Sequence, residues 1–446
     1  MHWFQATLTT TLAVFGSALA QDESLPGLSP RQTLPIPASC PGVTAKSSYK
    51  LSAASGWKYT LLATGLSKPR SLVFDTEGHL LILQTGLGVT AHTLGADGCI
   101  NATRTVLANQ QLNHGLALSP DGKTLYVSAA PTAWSYRYDA ATMTATGQTA
   151  VVRGMNPSGH NSRTLAVPPN RPDLLIVSLG SGGNIDDASV KKETGRAIVK
   201  VFDLTKTPAG GWTYNTQGWY LGYGLRNEIG IIFDGNNMVW GVENSGDELK
   251  RTIGGTSVDV HIDNPAEELN YLGDPSKSNE QWYGYPTCWT VGDPSVIKDA
   301  AFKIGEQFVI TPNATFNDAS CAKKSVPPRL SMKAHSAPID GKFDQDYKNL
   351  YVSLHGSWNR QPATGYKVIQ IPFQKLESGA YDPVAPPDSP FTQGYSEILW
   401  TSSPNENSCS SATCLRPTGI TWHPDGSRMY VGSDGSVGEV YVLYKA

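Results

Sequence analysis

The sequence predicts an all-β protein, a six-bladed β-propeller with irregular, disulfide-stapled loop insertions on one face. Two observations lead there. An apolar strand, a Pro/Asp/Asn/Gly turn and a Leu/Tyr/Val-rich strand recur six times, over residues 70–83, 114–127, 163–177, 222–248, 336–352 and 416–431. Gly (44) and Pro (30) are abundant while charged residues make up only 16%, a balance that suits short strands joined by many turns. Period-two strands joined by tight turns form small twisted sheets, and a radial ring lets each sheet bury its faces against its neighbours. Spacings from about 45 to about 110 residues mean a repeat interrupted by insertions.

Taken in order, the chain opens with an apolar, Thr-rich run that ends in Ser17-Ala18-Leu19-Ala20, the pattern of a secretory signal peptide over residues 1–20. No later apolar stretch is long enough to span a bilayer, so the expected location is extracellular. Residues 21–50, rich in Pro, Ser and Thr, read as an extended arm, and residues 51–446 as a single catalytic propeller. Secretion permits disulfides, and closeness in sequence favours Cys409–Cys414 and Cys288–Cys321, leaving Cys40–Cys99. Asn101-Ala102-Thr103 and Asn313-Ala314-Thr315 are glycosylation sequons. The ring is expected to close by pairing a strand near 59–62 with one near 440–444. The stretch from about Asp263 to Met332 reads as an irregular insertion roofing part of one face. A net charge of −3 over 446 residues argues against nucleic acid or an anionic membrane as partner, and the chain is expected to be a monomer.

The chemistry sits where the repeats begin. Each opens on a polar or cationic residue just before its inner strand: Arg70, Asn113-His114, His160 with Arg163, Arg226-Asn227, His335 and Arg416. Singly, each fits a turn cap or a local ion pair. In a propeller the starts of the innermost strands converge on one end of the central channel, where grouped cations need a bound polyanion. After the strand of 238–242 comes Glu243-Asn244-Ser245-Gly246-Asp247-Glu248, an oxygen-rich, Gly-containing loop of the type that suits a hard cation.

Five motifs in order carry a family resemblance: Gly224-Leu225-Arg226-Asn227, Glu243 to Glu248, Tyr283-Gly284-Tyr285-Pro286, His355-Gly356-Ser357-Trp358-Asn359-Arg360 and Arg416-Pro417-Thr418-Gly419. Together they resemble the quinoprotein sugar dehydrogenases of the soluble glucose and sorbosone dehydrogenase type, and in particular the fungal pyrroloquinoline quinone (PQQ)-dependent pyranose dehydrogenases, over nearly all of residues 50–446. The resemblance implies PQQ, a tricarboxylate with a planar o-quinone, held by Arg70, Arg226, Asn227, His355, Arg360 and Arg416, with Trp358 against its face. It implies Ca²⁺ held by backbone carbonyls of Asn244, Ser245 and Gly246. His160 falls where the family keeps its catalytic base, with Arg226 stabilising charge on the quinone oxygen, and the implied reaction converts the anomeric hydroxyl of a pyranose to a lactone. Fucose-like pyranoses or 2-keto sugars are the implied substrates.

This sequence departs from the pattern in two places. Gly159 stands before His160 where bacterial relatives carry an acid, so the group orienting the imidazole is not visible, and Asn-Ser-Gly replaces the commoner Gly-Pro type of calcium loop. Some fungal relatives add a haem domain and a cellulose-binding module. With Ala446 inside the last blade neither is expected here, and electrons are expected to leave to a separate cytochrome, quinone or copper oxygenase. Two rival readings are a calcium-dependent propeller lactonase and a non-catalytic glycan-binding propeller. The first expects an acidic ligand in the first blade, where Ser67-Lys68-Pro69-Arg70 stands.

Overall fold

The structure is a computed structural model that describes residues 35–156 and 158–446. The expected signal peptide and residues 21–34 of the expected arm lie outside the described residues. Six sheets follow one another along the chain, each adding strands outward from the axis, all antiparallel except for the short edge strand Trp212–Thr213, which joins the second sheet in parallel. Their innermost strands are Pro69–Phe74, Leu116–Leu118, Leu165–Ala166, Glu228–Phe233, Pro338–Phe343 and Pro417–Trp422, and each touches the next around a ring. These define blades 1 to 6. Each of the six sequence repeats forms the inner hairpin of one blade.

Alternation along the second strand of each blade builds the core. Leu80 and Ile82 pack towards blade 6, with Leu72, Tyr430 and Val442, while Leu81 and Leu83 pack towards blade 2, with Leu125 and Val127. The same division places Leu175 and Val177 against blade 2 and Leu174 and Ile176 against blade 4. Successive side chains of a strand point to opposite faces, so a strand buried on both sides is apolar at nearly every position. Leu80–Gln84 and Leu174–Leu179, buried throughout, each carry one polar residue, Gln84 and Ser178.

The ring closes as expected. Trp57–Leu66 is the outer strand of blade 6 and pairs antiparallel with Gly438–Lys445, Tyr59 opposite Leu443 and Thr60 opposite Val442. Just before it, Lys50–Ala53 extends the outer edge of blade 5 by pairing with Ser396–Ser403. The chain ahead of it is pinned to the seam: Tyr49 Oη donates to the buried Glu439 at 2.7 Å, and Thr60 Oγ1 donates to Pro37 O at 2.6 Å.

The stretch expected to be an irregular insertion is partly blade. Glu267–Gly273 and Leu330–Met332 are the third and fourth strands of blade 4, and the insertion proper is the segment between them. It carries the hairpin Cys288–Thr290 with Gln307–Val309 and the helix Asp318–Lys324, capped by Asn317. A second hairpin, Lys250–Ile253 with Thr256–Asp259, is tied to it by the buried Arg251, which donates to Asp299 at 2.6 Å and Asp318 at 2.8 Å.

The three expected disulfides are present: Cys40–Cys99, Cys288–Cys321 and Cys409–Cys414. Both sequon asparagines, Asn101 and Asn313, are exposed. Among the described residues no helix is long and apolar enough to cross a membrane. Cys40–Cys99 closes a 59-residue separation and fixes the segment that covers the seam, whereas Cys409–Cys414 closes only 5. Replacing Cys40 and Cys99 by Ala is expected to cost about 2–4 kcal/mol, and the Cys409/Cys414 pair less. Guanidinium unfolding of the two double variants checks the order, and a larger loss from the short loop would contradict it.

Candidate functional site

In an antiparallel hairpin the start of the first strand lies beside the end of the second, so the residues opening each repeat share one face with the loops that follow the second strands. Two clusters form there.

The first bridges blades 5, 6 and 1. Asp434, which follows the second strand of blade 6, accepts from Arg70 at 2.7 Å and lies 2.6 Å from His355 Nε2. Arg416 Nε is 3.6 Å from the same carboxylate. The Arg416 guanidinium spreads across the imidazole, its nitrogens 2.9–3.4 Å from both ring nitrogens. Two guanidiniums thus face one carboxylate. Burial raises the Asp434 pKa, but His355 and Arg70 outweigh it and hold the carboxyl well below its usual range. His355 is pushed down to about 4 by burial, opposed by Asp434 and aided by Arg416 and Arg70. His114 lies close by, fully enclosed, with Nδ1 unpartnered and its pKa well below the ordinary value because of burial.

The second cluster joins blades 3, 4 and 5. Arg226 donates to Asn184 O and Asn244 O, both at 3.0 Å, and to Asn184 Oδ1 at 2.9 Å, and it reaches Asp247 at 3.3 Å. Asn227 donates to Asn244 Oδ1 at 3.0 Å. His335, in left-handed backbone at φ 64°, places Nδ1 3.5 Å from Asp247 and bonds His261 O through Nε2. Burial lowers its pKa, yet the bonds to Asp247 and His261 O win and raise it above 6.5.

His160 stands at the edge of this cluster. Its Nδ1 is 2.9 Å from Ser181 Oγ and 3.2 Å from Ser181 O, while Nε2 has no hydrogen-bond partner among the described residues. Ser181 is buried, donates its hydroxyl to Gly183 O at 2.6 Å and its backbone N–H to Arg226 O at 2.7 Å. Ser181 is therefore the group that orients His160. Burial, then the Arg226 charge, pushes the imidazole down to about 4. A Cβ on Gly180 would come within 2.6 Å of Asn227 Oδ1 and 2.7 Å of His160 Cβ, so glycine lets these two side chains share one corner.

The oxygen-rich loop is braced from behind by buried acids. Glu243 accepts the Arg226 N–H, and Glu267 accepts the N–H groups of Ser245 at 2.7 Å and Ala337 at 3.1 Å. Asn270 Nδ2 sits among Glu228, Glu243 and Glu268 at 3.1–3.3 Å. Burial raises all four carboxyls, Glu267 to about 7, and neighbouring carboxylates add to the rise at Glu228, Glu243 and Glu268. The Asn244 carbonyl is occupied by Arg226, whereas among the described residues nothing donates to the Ser245 and Gly246 carbonyls. Gly246 packs on Trp289, whose ring a Cβ would meet at 2.6 Å.

Trp358 is 72% exposed, more than any other large apolar side chain described. Its neighbour Asn359 has both amide atoms buried and unpartnered. Arg360 turns away into the protein: its guanidinium donates to Ile262 O at 2.7 Å, to Asp263 at 2.5 Å and to Pro362 O. Arg163 is spent likewise on the carbonyls of Ala130, Asn156, His160 and Ser162. The structure thus brings Arg70, His355 and Arg416 together, groups Arg226 and Asn227 with the loop of Asn244, Ser245 and Gly246 and with His160, and places Arg360 behind them as a brace. Sequence reasoning missed Ser181, Asn184 and Asp434. Each lies in a polar loop after a second strand, and Asp434, in Ser433-Asp434-Gly435, is the one a repeat-by-repeat comparison of those positions could have found.

Because folding holds His160 and His355 below 6.5, both stay neutral at neutral pH, and the stability they contribute is lost as pH falls from 6.5 through about 4. An NMR titration of the cofactor-free protein should show His160 and His355 titrating near pH 4 and His335 above 6.5. An ordinary midpoint for His160 would contradict this geometry.

Comparison with known proteins agrees with this architecture. The family described as TrAA12-like matches residues 51–446. A PQQ-dependent pyranose dehydrogenase of Coprinopsis cinerea is 41% identical over 410 residues, covering 91% of this chain and 56% of the relative, so the chain spans little more than half of that protein. The solved holo form of the PQQ domain of the Coprinopsis cinerea pyranose dehydrogenase superposes with a TM-score of 0.88 at 40% identity, covering 91% of this chain and all of that one. A calcium structure of a Trichoderma reesei enzyme of carbohydrate-active family AA12 superposes with a TM-score of 0.83 at 35% identity, with the same coverage. On a match that spans nearly the whole propeller, the chain belongs to the TrAA12-like family.

Proposed function

We propose that this protein is a secreted PQQ- and calcium-dependent sugar dehydrogenase that oxidises the C1 hydroxyl of a pyranose to a lactone. The observation that carries the reading is the seam where Arg70 and Arg416 face the single carboxylate of Asp434, a cationic wall suited to a further polyanion. The PQQ named for the Coprinopsis relative is such a polyanion, and calcium is named for the Trichoderma structure. Three disulfides support an oxidising compartment, and with it a cleaved leader at residues 1–20.

Arg70, His355 and Arg416 would meet the cofactor's carboxylates from one side and Arg226 with Asn227 from the other, with the exposed Trp358 indole lying on its face. Arg360, committed to Ile262 and Asp263, acts by fixing the loop that carries Trp358. The carbonyls of Ser245 and Gly246 would be open to calcium, and the Asn244 carbonyl would join them only by sharing with Arg226. What PQQ and calcium supply when bound is a polarised two-electron acceptor for the anomeric hydrogen.

The protein supplies the proton chemistry. Ser181 fixes Nδ1 of a neutral His160, leaving the Nε2 lone pair to take the proton of the anomeric hydroxyl. Arg226, held in place by Asn184 and Asp247, offers its charge to the oxygen that becomes negative. The competing histidines are engaged: His355 by Asp434 and Arg416, His335 by Asp247 and His261, and His114 by enclosure. Electrons then pass to a separate acceptor such as a cytochrome, a quinone or a copper oxygenase.

His160→Gln is expected to lose about 10²–10⁴-fold in turnover with an artificial acceptor, while still binding PQQ and calcium. His355→Gln at saturating cofactor should keep most of its turnover. Steady-state assays of both loaded variants decide, and near-normal turnover in His160→Gln with loss in His355→Gln would move the base. Oxygen alone should not sustain the reaction, and stoichiometric hydrogen peroxide in an oxygen-electrode assay would count against a separate acceptor.

A further inference from the structure

At the other end of the blades the turns joining the first two strands of blades 5 and 6, with Trp57 and Lys445 of the outer strands of blade 6, line a half-open cavity of about 340 Å³, within the roughly 300–1,000 Å³ range of small-molecule sites. The six-residue strand Pro338–Phe343 separates it from the cationic wall by roughly 20 Å at about 3.3 Å per residue.

Tyr351 forms the floor. Trp57 and Trp422 stand edge-on to its ring, at centroid distances of 5.6 and 5.3 Å, and border the cavity on two sides. Tyr351 and Trp422 both line it, and the Tyr351 hydroxyl and Trp422 Nε1 are buried with no hydrogen-bond partner among the described residues. Buried hydroxyl and N–H groups are rarely left unbonded, so two in one cavity mark a place where something else bonds them. The rim is preformed. Asp344 is held by the N–H groups of Lys348 and Asn349 and by Asn349 Nδ2 at 2.7–3.2 Å, and Gln345 lies against Gly426 of the neighbouring turn.

Charge and shape select the ligand. Asp344 and Asp346 offer acceptors, and Lys445 holds an ammonium 5.7 Å from the Trp57 ring centre. A polyanion would meet two carboxylates, and a cation would find the indole face already supplied with one. Indole walls, carboxylate acceptors and N–H and O–H donors together suit a neutral ring with an apolar face and a rim of hydroxyls. We propose that this cavity is a second carbohydrate site, taking one pyranose unit of an oligosaccharide at the face opposite the reacting centre. It would tether a chain without placing it for oxidation, and it does not depend on the cofactor reading.

The test uses cofactor-free protein with ¹⁵N-labelled indoles, titrated with cellotetraose, xylotetraose and mannotetraose. At least one should shift the Trp57 and Trp422 indole signals saturably. Trp422→Phe, which keeps a ring but removes the Nε1 donor, should weaken the response at Trp57 at least tenfold while the other indole signals stay in place. Shifts confined to Trp358, no shift at either wall, or undiminished binding in Trp422→Phe would overturn the proposal. So would tetramethylammonium moving both wall signals where the sugars do not, since that marks a cation cage.

Discussion

A buried guanidinium must be bonded or neutralised on every side, and the arginines at one end of this propeller meet that demand in three ways. Arg163 and Arg360 meet it internally, on backbone carbonyls and one carboxylate, and so become struts. Arg226 meets it with Asn184, Asn244 and Asp247, a mixed set of one charge and several dipoles. Arg70 and Arg416 share Asp434, and that shortfall of negative charge is what suits this end of the channel to the anion proposed for it. Asp434 also fixes His355, so one carboxylate sets the geometry of three axial groups from three blades.

The buried acids of blade 4 serve the opposite purpose. Glu243 and Glu267 hold the N–H groups of Arg226 and Ser245, so the two elements proposed to meet a quinone oxygen and a cation are anchored by adjacent strands of one blade. Burial raises these carboxyls. Their bonds to the N–H groups leave the loop's backbone oxygens free to face the proposed cation.

The fold was legible because the inner hairpins repeat a period-two apolar pattern around Asp-Gly and similar turns, and because the closing strands 59–62 and 440–444 are apolar on both faces. The outer strands of blade 4 escaped notice for physical reasons. Glu267-Glu268 puts two carboxyls into a buried strand, and Leu330–Met332 is too short to show a period. The site was readable as a ring of repeat openings. What the sequence cannot express is which arginines are already satisfied: Arg163 and Arg226 open consecutive repeats alike, and only their carbonyl partners tell them apart. Ser181 and Asp434 are single polar residues whose roles exist only through contacts with other blades.

The axial cations and the 244–246 loop are proposed to act together as one receptor for PQQ and calcium. Isothermal titration of cofactor-free protein with PQQ, in calcium and again after chelation, tests this. One PQQ per chain is expected, bound tightly with calcium and much more weakly without it, and weakened further when Arg226 is replaced by Ala. Absence of saturable binding in calcium, or binding indifferent both to chelation and to Arg226→Ala, would contradict it.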